Sequence, residues 1–452
     1  LKAKPEFANL LDISQWKLTP YQILVLGFAG LIFFGAILLS LPNASATVER
    51  LGFIDALFTA TSAVCVTGLA VVDTGTRFSI FGQVVILFLI QAGGLGIMTM
   101  ATLMALLMRK KIQLRERLIM QEALNQLTVA GIVRLTKYII KATLLVEFIG
   151  GTILAIHWYG EFGLKSIYFG YWHAISAFCS AGFDLFGDFR GYTRYVDDIT
   201  VNLVITSLII LGSIGFTVIS DVVANRSFSR FSLHTKIVLT ATGVLIASGT
   251  LVILLLELNN PATISELSWK GKLLGSYFQA VTRTAGLNTL NIGELTNATL
   301  LFLMILMFIG ASPASTGGGI KTTTVSVVVA AVWAHISGKQ DAELFGRRIS
   351  PSSVYKAFSL VFISVALIIF FTMMMSITEK AEFLNLLFEV VSAFGTVGLS
   401  TGITPTLTSL GKLWLIFAMF AGKVGPVTVA LALALRKRKA DIQYPEGRVI
   451  IG

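Results

Sequence analysis

The chain has 452 residues, of which 55% are apolar or aromatic and 13% are Asp, Glu, Lys or Arg, with a mean hydropathy of +0.81. Ordinary soluble proteins carry roughly 25% charged residues, so this composition excludes a soluble globule, a disordered chain, a coiled coil and a disulfide scaffold, and describes a polytopic membrane protein. The net charge of +11 comes from basic residues clustered between apolar runs; it reads as the cytoplasmic excess of Lys and Arg and not as a nucleic-acid surface, so no nucleic-acid partner is expected.

Residues 1–19 carry Lys2, Lys4, Glu6, Asp12 and Lys17 and lack the pattern of a cleavable signal. With Leu1 at the start, the natural N-terminus is expected to lie upstream. A spanning helix needs about 20 apolar residues. Runs of that kind lie near 21–41, 78–108, 132–158, 199–224, 235–258, 298–336, 354–377 and 408–435, which predicts eight transmembrane helices. Between the members of each pair sits a shorter stretch ending in glycine: FIDALFTATSAVCVTGL (53–69), IYFGYWHAISAFCSAGF (167–183), KLLGSYFQAVTRTAGL (272–287) and EFLNLLFEVVSAFGTVGL (382–399). Each offers about 10–14 apolar or aromatic residues before the glycine, too few to cross a bilayer and suited to a re-entrant half-helix.

The four endings align on Gly68, Gly182, Gly286 and Gly398. Three of the four stretches also share a Ser-Ala pair, Ser62-Ala63, Ser176-Ala177 and Ser392-Ala393. The expected fold is therefore an all-α membrane protein of four helix–pore-loop–helix repeats around a pseudo-fourfold pore axis. The units are 1–110 (N-terminal segment and first repeat), 111–227, 228–340, and 341–452 (fourth repeat and C-terminal tail). Glycine-rich breaks recur in the second helix of each repeat at 93–96, 212–215, 310–319 and 422–425; since glycine costs about 1 kcal/mol inside a helix, they predict bends or close helix contacts. Two crossings per repeat place every linker on one face. These linkers carry Arg109, Lys110, Lys111, Arg115 and Arg117, then Arg226, Arg230 and Lys236, then Lys339, Arg347 and Arg348, with Arg436, Lys437, Arg438 and Lys439 at the end. That face, with both termini, is predicted to be cytoplasmic.

Non-helical backbone at membrane depth must be buried in protein or line water. Four glycine-ended loops around one axis do the latter. Glycine adopts positive φ readily, which turns carbonyl oxygens toward the axis, where a ring of them replaces the hydration shell of a monovalent cation. The preceding short helices would point their partially negative C-terminal ends at the site. The predicted filter is Val66, Thr67 and Gly68; Ser180, Ala181 and Gly182; Thr284, Ala285 and Gly286; and Thr396, Val397 and Gly398. No ring of Asp or Glu flanks it, which argues against a divalent-ion pore. No other metal and no organic cofactor is expected. An enzyme would need intramembrane His, Asp or Glu pairs or an HExxH motif, and none is present, so the chain is read as a non-enzyme. Broken helices also suit an alternating-access carrier for a monovalent cation, but carriers are built from inverted repeats, whereas two-crossing repeats all share one orientation.

The residues Thr396, Val397, Gly398 and Leu399 resemble the opening of the potassium-channel filter T-V-G-Y-G. Together with TSAVCVTGL, SAFCSAGFD, TRTAGLNT, SAFGTVGLST, GASPASTGGGIKT and AGKVGP, they make the chain similar, over roughly 20–440, to the Trk/Ktr/HKT superfamily of potassium transporters, and most so to its Ktr ion-translocating subunits. The resemblance implies K+ uptake across the plasma membrane, often with Na+ as activator. It implies a homodimer with one pore per chain, and a separate cytosolic nucleotide-binding ring of the RCK type as regulator. It also implies that Gly68, where Na+-conducting members tend to carry Ser, favours K+.

The apolar segment 298–336 is interrupted by Gly310, Ala311, Ser312, Pro313, Ala314, Ser315, Thr316, Gly317, Gly318 and Gly319. The alternatives are a passive connector and a mobile loop beneath the filter; the resemblance implies an intramembrane gate. Lys321-Thr322 invites a phosphate-loop reading, which fails because Ile320 stands where glycine is required. Lys423 in the last helix is a functional candidate by its depth, either lowering cation occupancy below the filter or pairing with gate carbonyls; the family commonly has Arg here. A snorkelling lysine is the bland alternative. Arg283 is expected to point away from the axis and pair with Glu294 or Glu389. Cys65 and Cys179 read as buried thiols behind the filter. Asp73, Asp184, Asp188, Asp197 and Asp198 fall on outer loops, and His157, His173, His234 and His335 suggest solvent or interfacial roles. Segments 112–131 and 338–353 are candidates for docking the regulator, and 114–127 equally for a helix lying on lipid headgroups. The tail with Tyr444, Pro445 and Val449–Ile451 is expected to pack at a subunit interface.

Overall fold

The computed structural model describes residues 19–47, 49–96, 99–100, 103, 114–123, 131–425 and 428. The segment 1–18, the basic residues Arg109, Lys110, Lys111 and Arg436–Lys439, and the tail with Tyr444, Pro445 and Val449–Ile451 lie outside the described residues. In chain order, α1 (Pro20–Leu39) is followed by the short α2 (Phe53–Val64) and by α3 (Ile80–Leu95). Next, α4 (Leu114–Ala123) leads to α5 (Ile132–Phe162), the short α6 (Lys165–Phe178), α7 (Ile199–Ser213) and α8 (Phe216–Asn225). The third group is α9 (Leu233–Glu257), the short α10 (Trp269–Val281), α11 (Asn297–Phe308) and α12 (Thr322–Ile336). A hairpin of β1 (Glu343–Leu344) and β2 (Arg347–Arg348) precedes α13 (Pro351–Thr378), the short α14 (Phe383–Gly395) and α15 (Ser409–Val424).

That hairpin departs from the expected all-α fold. Glu343 pairs with Arg348 and Leu344 with Arg347, and both turn residues, Phe345 and Gly346, sit at positive φ, as a two-residue hairpin turn demands. It falls in segment 338–353, and the Phe345 ring packs 6.1 Å from that of Phe228.

Among the described residues four helices, α1, α5, α9 and α13, are long and apolar enough to cross a membrane. The 25 residues of α9 rise about 38 Å at 1.5 Å per residue, more than the roughly 30 Å of hydrocarbon. Only 22% of the most apolar window of α9 is buried inside the protein, and Leu251, Leu255, Phe362 and Ile369 stand outward, so these faces suit lipid. The pair α7–α8 is apolar enough to cross only if taken together, and it is bent by 97° at its break. The other expected crossings are not continuous helices. The 12 residues of α11 reach only about 18 Å. Helix α3 stops at Gly96 with φ 83°, α7 gives way to α8 at Gly215 with φ 92°, and α15 stops at Gly425 with φ 91°.

The helix starts are local chemistry. Thr19 forms a capping box with Gln22 ahead of Pro20. Ser79, Asp198, Ser232, Ser268, Thr296, Ser350 and Thr408 each accept from the amide three residues on, satisfying donors that a helix N-terminus leaves unpaired. The core runs through the short helices, where Phe58, Phe178, Phe278 and Phe388 are fully buried. Helix α4 packs against α1 and α5 with Ile119 and Met120 buried, so this part of its apolar face is covered by protein, not by headgroups or a regulator.

Glycines decide how the broken helices meet the short ones. A Cβ on Gly93 would lie 1.9 Å from the Val64 carbonyl oxygen, on Gly212 1.9 Å from that of Phe178, and on Gly422 1.8 Å from that of Phe394. In three repeats the broken helix thus crosses the C-terminal end of its short helix backbone to backbone. Gly422→Ala is expected to lower stability by about 1–3 kcal/mol through overpacking. Gly243→Ala on α9, with nothing near its missing Cβ, should be neutral or stabilise by up to about 1 kcal/mol. Thermal unfolding of the detergent-solubilised protein separates them; equal effects would refute the packing account.

Candidate functional site

Each short helix runs directly into a loop whose glycine has positive φ: 94° at Gly68, 74° at Gly182, 66° at Gly286 and 97° at Gly398. Two residues earlier, Val66, Ser180 and Thr396 also lie at φ 50–58°, a conformation that costs a non-glycine residue about 1–3 kcal/mol. Hydrogen bonds over-determine it. The Thr67 amide donates to the Ser62 carbonyl at 2.8 Å, Ala181 to Ser176 at 2.8 Å, and Val397 to Ser392 at 2.9 Å. The shared serine does more. The Ser62 and Ser392 hydroxyls accept from the Gly68 and Gly398 amides at 3.0 Å each, and Ser176 donates to the Phe183 carbonyl at 2.6 Å. The third repeat has Ala280 at that place. There the loop tightens into a 3-10 turn, Thr282–Thr284, and the Thr282 hydroxyl bonds the Leu287 carbonyl.

The four loops meet. A Cβ on Gly68 would lie 2.6 Å from Ala181 O, on Gly182 2.9 Å from Ala285 O, on Gly286 2.3 Å from Val397 O, and on Gly398 2.0 Å from Thr67 O. These contacts close a ring in the order 68, 182, 286, 398, with the first loop diagonal to the third and the second to the fourth. Real Cβ atoms do not approach within 3 Å, so no side chain fits at these positions. Val66, Thr67, Ser180, Ala181, Thr284, Ala285, Thr396 and Val397 are all buried. On one side of the ring a cavity of about 250 Å3 is lined by the four glycines, Asp73, Asp184, Asn288 and Ser400.

On the other side lies the segment Gly310–Gly319. Its Ser312 amide donates to Ser213 O at 2.9 Å and its Thr316 amide to Gly212 O at 3.1 Å. The Thr316 hydroxyl reaches Phe178 O and Gly212 O at 3.2 Å each and Ser180 Oγ at 3.4 Å. At its far end the Gly318 amide donates to Thr396 Oγ1 at 2.9 Å. The segment therefore runs from beneath the second loop to beneath the fourth, across the diagonal of the ring. Two ammonium groups hold its middle: Lys423 Nζ donates to Thr316 O and Lys321 Nζ to Gly317 O, both at 2.7 Å. Beyond it lies a second cavity of about 480 Å3, lined by Pro313, Ser315, Gly317, Lys321, Lys423 and Phe394 among others.

Arg283 corrects an expectation. It is buried and pairs with neither Glu294 nor Glu389; its Nη1 donates to Ile309 O and Gly310 O. Because α11 ends at Phe308, carbonyls that a continuous helix would have used are free, and the guanidinium takes them. Arg283 occupies the same place, three before the loop glycine, as Cys65, Cys179 and Gly395. Both thiols are free and fully buried. Behind Cys179 lies Glu147 of α5, buried and bonded to Gln91 at 3.1 Å, a residue that sequence reasoning missed although an acid within a spanning run is itself a signal. The acids of the predicted outer loops mostly have structural partners: Asp73 and Asp198 cap helical turns, Asp198 pairs with His157, Asp188 with Arg190, and Asp197 accepts from Ser268. Against expectation His173 is fully buried, stacked on Phe186 at 4.5 Å, because the loop after Gly182 folds back over α6.

Residues 19–441 match the family described as TrkH, cation transport protein. The Ktr system potassium uptake protein B of Bacillus subtilis is 47% identical over 443 residues, covering 97% of this chain and 98% of that protein. The potassium/sodium uptake protein NtpJ of Enterococcus hirae is 39% identical over 446 residues, covering 96% and 98%. The crystal structure of the potassium transporter TrkH from Vibrio parahaemolyticus shares the fold, with a TM-score of 0.75 at 18% identity over 94% of this chain and 86% of that one.

The lysine grip is open to measurement. With both native thiols buried, Ser315→Cys supplies a single reporter. Adding Lys423→Met should speed its labelling by an impermeant maleimide about tenfold, as expected for losing one charged hydrogen bond of roughly 1.5 kcal/mol. Unchanged labelling would mean that the lysine does not restrain the segment.

Proposed function

The chain belongs to the TrkH family of cation transport proteins, and from that membership we propose that it is the ion-translocating subunit of a K+ uptake system in the plasma membrane. The observation that carries this reading is the closed ring of four positive-φ glycines. Peptide oxygens presented by backbone alone can substitute for the water around a weakly hydrated monovalent cation, and the short helices direct the negative ends of their dipoles at the same point. The predicted filter triplets, from Val66–Gly68 to Thr396–Gly398, are the residues of this ring. The relatives named for potassium and for potassium/sodium uptake support K+ as the transported ion and Na+ as a second one or an activator.

In this reading the four repeats, 1–110, 111–227, 228–340 and 341–452, each cross the membrane twice. The linkers and both termini are cytoplasmic, and the cavity lined by Asp73 and Asp184 is the outer mouth. The segment Gly310–Gly319 is the gate, lying between the ring and the inner cavity. Its bonds to neutral groups contribute about 0.5–1.5 kcal/mol each and those to the lysines about 1.5–3. A partner that binds the open state a few kcal/mol more tightly is therefore enough to shift it. That partner would be a separate cytosolic nucleotide-binding ring, with the translocating subunit a homodimer. Lys321 and Lys423 also place positive charge below the ring, which disfavours cations while the gate is shut.

The broken helices favour one second reading, an alternating-access carrier. Flux from purified protein in liposomes distinguishes the two: a channel-like path gives K+ flux that is not stimulated by K+ on the opposite side, with or without Na+. The K+ over Na+ preference should fall about tenfold, or 1.4 kcal/mol, in Gly398→Ser, whose side chain must push the first and fourth loops apart. An unchanged preference would remove the ring as the filter. Deleting 311–317 should raise K+ flux several-fold; flux that is unchanged, or lost in a folded protein, argues against a gate.

A further inference from the structure

Counting from each loop glycine exposes a register that the repeats share only in part. Nine residues before the glycine stand Thr59, His173, Tyr277 and Glu389; three residues after it stand Val71, Leu185, Thr289 and Thr401. In the second repeat the Leu185 amide donates to His173 Nε2 at 3.1 Å. In the fourth the Thr401 amide donates to Glu389 Oε1, also at 3.1 Å. Two chemically unlike side chains, both fully buried, thus accept from the same amide of the segment that follows the ring. In the first and third repeats the register is not used: the Thr59 hydroxyl turns back to Asp55 O, and Tyr277 packs on the core.

The braced repeats sit at opposite corners of the ring. The unbraced loops lean on the second one. Asp73 Oδ2 of the first accepts from the Phe189 amide at 2.9 Å, and Asn288 O of the third accepts from the Tyr192 amide at 2.9 Å. Each brace is itself oriented. His173 Nδ1 donates to Phe169 O at 2.8 Å, which leaves Nε2 as the acceptor and fixes one neutral tautomer. Glu389 also accepts the hydroxyls of Ser400 at 2.5 Å and Thr404 at 2.7 Å, so its partners are neutral donors.

We propose that His173 and Glu389 are positioning residues for ion selection: their acceptor atoms hold the post-glycine segments of the second and fourth loops and thereby fix the width of the ring at two diagonal corners. The proposal rests on reading the ring as the K+ filter. A wider ring coordinates K+ less well and loses discrimination before it loses conduction.

The test uses the full chain in liposomes, reading K+ and Na+ flux separately. His173→Leu and Glu389→Leu should each lower the K+ over Na+ ratio about tenfold, or 1.4 kcal/mol, with total monovalent flux retained. His173→Gln and Glu389→Gln, which restore an amide oxygen, should recover most of it, whereas Thr59→Val and Tyr277→Phe at the unused register should leave it unchanged. Leucine variants with the unmodified ratio would overturn the bracing; so would glutamine variants that fail as badly as leucine, since volume and not the acceptor would then matter. An unmodified protein with no K+ preference at all is a different result and defeats the filter reading itself. Amide hydrogen exchange gives an answer without variants: Leu185 and Thr401 should exchange more slowly than Val71 and Thr289, and equal exchange overturns the proposal.

Discussion

Everything in this molecule is arranged around four places where a side chain cannot exist. At Gly68, Gly182, Gly286 and Gly398 the backbone of one loop touches that of the next, and the missing Cβ would intrude to between 2.0 and 2.9 Å of a neighbouring carbonyl oxygen. Such contact needs loops delivered from four directions at one depth. The short helices do that, and their length of about half a crossing follows from it. The contact also needs residues such as Val66, Ser180 and Thr396 in a left-handed conformation that they resist, which the serine hydroxyls and amide bonds around them stabilise. The second glycine set, Gly93, Gly212 and Gly422, lets the broken helices press against the ends of the short ones.

The third repeat breaks the pattern, and its departures belong together. It lacks the Ser-Ala pair, its loop is a 3-10 turn, and the helix behind it opens into the segment Gly310–Gly319. Where the other repeats place a thiol or a glycine, it places Arg283, which holds the carbonyls that the broken helix leaves unpaired. The segment itself is anchored from both sides, by its own repeat through Arg283, Lys321 and Thr322 and by the others through Gly212, Ser213, Thr396 and Lys423.

Much of this was legible in the sequence because it is written in backbone-limiting residues. The loop glycines, the breaks near Gly96, Gly215 and Gly425, and the position of Lys423 could be read from spacing alone. What could not be read depends on which carbonyls are left free or on how a loop folds back. For Arg283 the sequence points to a carboxylate partner, because it displays carboxylates and hides the unpaired peptide oxygens of Ile309 and Gly310. The burial of His173 is hidden because Phe186 and Tyr192, both beyond the loop glycine, close an aromatic pocket begun by Trp158, Phe169 and Trp172. In the sequence Lys321 suggests only a failed phosphate loop, yet it grips the carbonyl next to the one held by Lys423.

The ring is closed within one polypeptide, and its corners are unequal. In an assembly of four identical subunits, a single nucleotide change alters every corner together and is tested as a fourfold lesion. Here each corner is a separate heritable unit. One quadrant can acquire an arginine or a histidine while the remaining three keep the ancestral chemistry, so descendants of such a gene can specialise their quadrants by small, individually survivable steps.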